Sequence, residues 1–309
     1  MNFGLYLPVA GLTVNVLIMA GVGGVVGLLS GLFGVGGGWL LTPLLMMFGI
    51  PPTVAAATDA NQIVGASTSG TFAHWRLGNV DFKMGLMMLI GGIIGSTAGV
   101  QVIKVLRATG NADLVIKLCY VTMLGTIGSL MFVESLVAIW RKGKAHKPMH
   151  PNEMTRWARV MASLPWQMEF AKSGVRASVV LVLFFGTLVG VLAAIMGVGG
   201  GFLMAPVMVY LLAMPMHAVV GTSLFIILFT TINTTFMQAV TNHTVDITLA
   251  VILLLGSTLG AQLGSRLGCR LEHDQLKILL ATIVLVVTVK MIFDLSVTPD
   301  HLLALKGGH

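Results

Sequence analysis

The sequence predicts an all-α, polytopic membrane protein made of two internal repeats. Each repeat has four to five hydrophobic segments, a glycine-rich break and a short half-helix. Three observations carry this. Hydrophobic residues make up 56% of the 309 and charged residues 9%, with mean hydropathy +0.94, whereas a soluble domain has roughly 25% charged residues. The apolar stretches run about 20 residues without the alternation a membrane strand requires, which favours helices over a barrel. The pentapeptide Gly34-Val35-Gly36-Gly37-Gly38 recurs as Gly197-Val198-Gly199-Gly200-Gly201, and prolines follow both copies at matched distances (Pro43 and Pro52, Pro206 and Pro215).

After a nearly uncharged lead-in over residues 1–13, the first apolar helix is expected over about 14–33, ending in the first glycine loop. The next piece, about 39–50, is too short for a ~30 Å bilayer core and reads as a half-helix. A polar-striped segment (53–75) leads to a glycine-rich helix over 84–103, whose Gly91, Gly95 and Gly99 suit close helix packing. A further helix covers about 114–139. The second half repeats this plan: a helix over 177–196, the second glycine loop, a short piece over 202–214, and helices over 217–240, 247–267 and 276–295. Residues 1–139 and 177–309 are thus the two repeats. Between them, residues 140–176 form a basic linker holding eight of the 18 Lys/Arg, the pattern of a cytoplasmic loop. The net charge of +7 follows this distribution rather than one basic face, so no nucleic-acid partner is expected. The first basic residue is Arg76, so no cleaved secretory signal is expected. Four crossings per half would make the repeats parallel and five would make them inverted; the charge pattern leaves both open.

A helix does not run easily through four glycines in five residues, since each costs about 1 kcal/mol relative to alanine. Inside a bilayer the break persists only where protein, water or a ligand satisfies the freed backbone groups. Paired Gly/Pro interruptions in two halves point to a transporter's binding site. Successive flexible residues turn N–H groups toward one point, and the following helix adds its positive dipole end. Gly34, Gly36, Gly37, Gly38, Gly197, Gly199, Gly200 and Gly201 are therefore candidate anion-binding residues. Helix packing through small residues is the alternative. A soluble phosphate-binding loop is excluded, because neither copy is followed by Gly-Lys-Ser/Thr.

Thr230, Asn233, Thr234 and Gln238 share one helical face, and Asn61 and Gln62 stand in the corresponding first-half segment. Such faces turn inward, toward other helices or a water-filled path. Asn61, Gln62, Asn233 and Thr234 are candidate lining residues, together with Thr222 and Ser223. Asp59 and His74 are candidate proton-relay residues; Asp59 reads preferably as an N-terminal helix cap and His74 as an interfacial histidine. The histidines and the two cysteines show no metal-ligand spacing and no catalytic set assembles, so no metal, cofactor or enzyme activity is expected.

At the glycine loops the sequence resembles the TauE/SafE family of membrane permeases, exporters of sulfite and related organosulfur anions. The carrying residues are GLFGVGGGWLLTPLL (31–45) and AIMGVGGGFLMAPVM (194–208), and His217 to Leu224 resembles the family's second-repeat pattern. The first repeat departs there, reading Ala57-Thr58-Asp59-Ala60-Asn61-Gln62. The resemblance implies two repeats and export of sulfite, an organosulfonate or a similar small anion across the bacterial inner membrane. Alternating access, the anion on backbone N–H groups, is the expected mechanism. The alternative is a non-transporting membrane subunit that binds a partner through the basic linker. The lipid bilayer is a partner in either case, and a homo-oligomer stays open.

Overall fold

The computed structural model describes residues 4–33, 37–140, 166–170, 172–212, 214–268 and 273–296. Each half opens with a β-hairpin. The first pairs β1 (Gly4–Leu7) with β2 (Leu12–Asn15), and the second pairs β3 (Gln167–Phe170) with β4 (Val175–Ser178). The first occupies the expected lead-in and the start of the range expected as the first helix, and the second falls mostly within the range expected to be linker. Four-residue strands are too short to show alternation; Gly11 and Gly174, both at positive φ, close the two turns.

The first half continues with α1 (Val16–Phe33), α2 (Gly38–Met47), α3 (Pro52–Arg76), α4 (Phe82–Ala108) and α5 (Ala112–Trp140). The second has α6 (Val179–Met196), α7 (Gly201–Pro206), α8 (Met216–Met237), α9 (Ile247–Gly268) and α10 (His273–Ser296). Five of the described helical spans are long and apolar enough to cross a membrane. Two π-helical turns, Val207–Leu211 and Gln238–Asn242, interrupt the second half. Partner positions lie 163 residues apart at Gly37/Gly200, 164 at Thr58/Thr222 and 165 at Asp81/Asp246. Each one-residue step spans one π turn, whose wider winding accommodates an extra residue without ending the helix.

Glycine seams join the halves. Gly256, Gly260 and Gly264 of α9 lie against the backbone of Ala20, Gly24 and Leu28 of α1, where an added Cβ would overlap main-chain atoms. Gly91, Gly95 and Gly99 of α4 meet Leu183, Thr187 and Val191 of α6 in the same way. Along both seams the residue numbers rise together, so each pair is parallel. In α3 and α8 they run oppositely: Gly70 meets Leu224, while Ile63 lies level with Ile227 and Thr231. α4 runs with α8 (Gly85 at Thr222, Gly92 at Thr230), and α3 runs with α9 (Thr58 at Asp246, Gly65 at Leu254). Corresponding helices of the two halves, α1/α6, α3/α8 and α4/α9, therefore point in opposite directions.

Among the described residues, Asp81 and Asp246 cap helices. Asp81 accepts the N–H groups of Lys83 and Met84 at 3.1 Å, opening α4, and Asp246 accepts Leu249 N–H at 3.1 Å, opening α9. Each also holds a hairpin. The Ser173 hydroxyl donates to Asp81 at 2.6 Å, and Val9 N–H donates to Asp246 at 3.3 Å. Asp59, expected as a cap, instead lies fully buried inside α3. The bonds of Val54 and Ala55 to the Pro51 carbonyl begin that helix.

Candidate functional site

The glycine turns lie halfway along the helices. A Cβ on Gly37 would come 2.9 Å from Val26 Cγ1, so the chain returns beside the middle of α1 before α2 begins. At 10 residues α2 is about 15 Å long, half a bilayer core, and it covers the first half of α3. In the second turn Gly197, Gly199 and Gly200 all have positive φ, which side chains other than glycine rarely adopt. The turns touch each other: a Cβ on Gly38 would lie 3.1 Å from the Val198 carbonyl oxygen, and Ile63 of α3 meets both Gly38 and Gly199. Trp39 and Phe202, corresponding residues of the two turns, stack at 5.6 Å with 20° between their planes. The buried Tyr120 hydroxyl donates to the Met196 carbonyl at 2.5 Å, fixing the end of α6 just before its turn.

The helical ladders begin with bonds from Leu40 and Leu41 to the Gly37 carbonyl and from Leu203 and Met204 to that of Gly200. The amides of Gly38 and Trp39, and of Gly201 and Phe202, precede those bonds, as the first N–H groups of any helix do. Two sets of leading amides and two positive dipole ends are thus brought together in a buried place, an arrangement that suits an anion. Gly34 and Gly36 lie outside the described residues.

The other candidates divide. Gln62, 2% exposed, and half-buried Asn61 directly precede Ile63 on α3. Thr222 stands two turns of α8 away, where its hydroxyl accepts Asp81 N–H at 2.9 Å, and Ser223 donates to the Val220 carbonyl. Asn233 donates to Ser96 and Thr97 of α4 at 2.9 and 3.1 Å, and Thr234 donates to the Thr230 carbonyl. Much of the polar face of α8 thus serves helix packing. Gln238 lies in the second π turn and accepts Asn242 Nδ2 at 2.6 Å. His74, near the end of α3, faces Asn79 at 3.4 Å.

Sequence reasoning missed Thr42, whose hydroxyl donates to Asp59 Oδ2 at 2.7 Å, and Thr58, whose hydroxyl accepts Asp246 N–H at 3.2 Å; it named Thr222 as a lining residue, not as the acceptor of Asp81 N–H. The Val-Asp pair recurring at 80–81 and 245–246 was the available signal for the two caps. Among the described residues no three His, Cys, Asp or Glu gather as metal ligands.

The sequence profile described as "Sulfite exporter TauE/SafE" matches residues 19–291. A "Probable membrane transporter protein YjnA" of Bacillus subtilis is 29% identical over 69% of this chain and 74% of its own. The YunE protein of the same organism, named in the same words, is 28% identical over 74% and 79%. "Sulfite exporter TauE/SafE family protein 1" of Arabidopsis thaliana is 31% identical over 37% of this chain and 25% of its own. No solved structure matches. The chain is a multi-pass membrane transporter and belongs to the sulfite exporter TauE/SafE family.

Proposed function

We propose that this transporter moves sulfite, or a related organosulfonate or small oxyanion, by alternating access. The anion sits between the two glycine turns, held by the leading amides of α2 and α7. The observation that carries this reading is the meeting of the two helix starts, Gly38 against Val198, level with Ile63 near the middle of α3. The two halves act as inverted repeats that rock about the α3/α8 crossing, and the opposed directions of corresponding helices support this. Export, the direction in the family's name, suits an anion, which an inside-negative potential expels at about 2.3 kcal/mol per charge per 100 mV.

The test is labelled sulfite flux from proteoliposomes, comparing the wild type with Gly37→Leu/Gly200→Leu. Flux in the wild type and none in the folded double variant is expected. Equal flux in both moves the site away from the turns, and no flux in either with any sulfur oxyanion overturns the substrate class.

A further inference from the structure

Where α2 runs alongside the first half of α3, two buried oxygens have no hydrogen-bond donor. Asp59 is fully buried; its Oδ2 accepts the Thr42 hydroxyl, while Oδ1 meets no donor. Gln62, 2% exposed, buries Oε1 equally unpartnered. Residues at i and i+3 share a helix face with Cβ atoms about 5–6 Å apart. A buried carboxylate without a counter-charge costs several kcal/mol, and among the described residues no Lys or Arg pairs with Asp59.

The neighbouring elements bring little else that ionises. On α5, Tyr120 faces Asp59 and Thr42 but donates its hydroxyl to Met196. Asp113 of the same helix accepts Thr53 N–H at 3.3 Å, at the start of α3. At the start of α9, Asp246 meets Thr58 through its backbone N–H. α2 and α8 present no charged side chain among those described. In the second half, the positions corresponding to Thr42, Asp59 and Gln62 are Ala205, Ser223 and Ile226, none of which ionises. A device needed only to pack α2 against α3 would be expected at α7 and α8 as well; this one occurs once.

We propose that Asp59, Gln62 and Thr42 form a proton site that couples anion movement to the proton gradient. Oδ1 takes a proton from water on one side of the membrane, donates it as a hydrogen bond to Gln62 Oε1, and releases it to water on the other side. One proton removes the buried charge and satisfies both orphaned acceptors. The site adjoins Ile63, against which Gly38 and Gly199 pack. A neutral Asp59 therefore favours an anion at the turns and an ionised one repels it, a coupling that acts equally in both directions. Proton and anion then travel the same way, and a sulfite dianion carried with one proton keeps one net negative charge, which the inside-negative potential still drives outward. This inference rests on the transport reading above.

The test uses full-length protein in vesicles, with the potential clamped and uptake by protein-free vesicles subtracted. With one proton per anion, an imposed gradient of one pH unit, acidic outside, drives accumulation of labelled sulfite inside by up to about tenfold. An equal sodium gradient drives none. D59N still exchanges internal for external sulfite but fails to concentrate it. T42V, which removes only the hydroxyl bond, concentrates it less than the wild type. Concentration by D59N equal to the wild type, accumulation that follows sodium, or accumulation in the opposite sense overturns the proposal. Absence of sulfite exchange in the wild type overturns the transport reading instead. The proton site is then judged by infrared spectroscopy, where the wild type shows a buried protonated carboxyl band that D59N lacks. No such band in the wild type overturns the site regardless of flux.

Discussion

Replacing Gly199 by alanine tests the glycine turn at a single atom. Its φ of +70° belongs to the left-handed region, where a Cβ costs about 1–2 kcal/mol. The added carbon would also lie 2.7 Å from Thr231 Cγ2, 3.0 Å from Ile63 Cγ2 and 3.2 Å from Ile227 Cγ2. Such crowding in a packed interior adds about 1–3 kcal/mol. The strain falls on the turn rather than on the α1/α9 and α4/α6 seams, so the variant stays folded but populates the native turn poorly. A penalty of about 2 kcal/mol or more lowers sulfite affinity, read from half-saturation of exchange, roughly thirtyfold. Gly49→Ala is the control, since its φ of +85° is equally strained but its Cβ would meet nothing within 4 Å. It loses a little thermal stability and keeps sulfite affinity. Wild-type affinity in Gly199→Ala, or equal losses in both variants, would refute this reasoning.

Gly260→Leu and Gly95→Leu, at the centres of the two seams, push main chains apart; both lower the thermal midpoint in detergent by several degrees, the effect of about 1–3 kcal/mol in overpacking. Asp246→Ala loses a helix cap worth about 1 kcal/mol together with the bond to Val9, and limited proteolysis should then cut the β1–β2 turn faster than in the wild type. Thr222→Val removes the acceptor of Asp81 N–H and lowers stability without changing sulfite affinity. Single cysteines at the exposed positions 77 and 247, in a background lacking Cys119 and Cys269, label from opposite sides of oriented vesicles, because α4 and α9 start at opposite ends of the bundle. Labelling of both from one side contradicts the inverted arrangement.

Features written in local composition were legible in the sequence. Four glycines in five residues announce a break, and glycines four apart announce a close seam, whatever the helix packs against. Which helix fills the seam is a tertiary matter: nothing in Gly95 or Gly260 names Thr187 or Gly24 as its neighbour. The same limit applies to the polar face of α8, whose Asn233 amide is taken up by Ser96 and Thr97 across the interface. Asp59 lies near the start of α3 in sequence, which suits a cap. Its burial follows from α2 folding back alongside, and only the returning chain brings Thr42 to it. The π turns were visible only as shifts in the offset between halves, because one extra residue leaves no compositional trace.

The most direct test of the central claim is to locate a bound anion by anomalous scattering from crystals soaked in selenite, the selenium analogue of sulfite. A single selenium peak within hydrogen-bonding reach of the Gly38, Trp39, Gly201 and Phe202 amides is the result expected. A peak on the basic segment, or along the polar face of α8 with the turns empty, would contradict it.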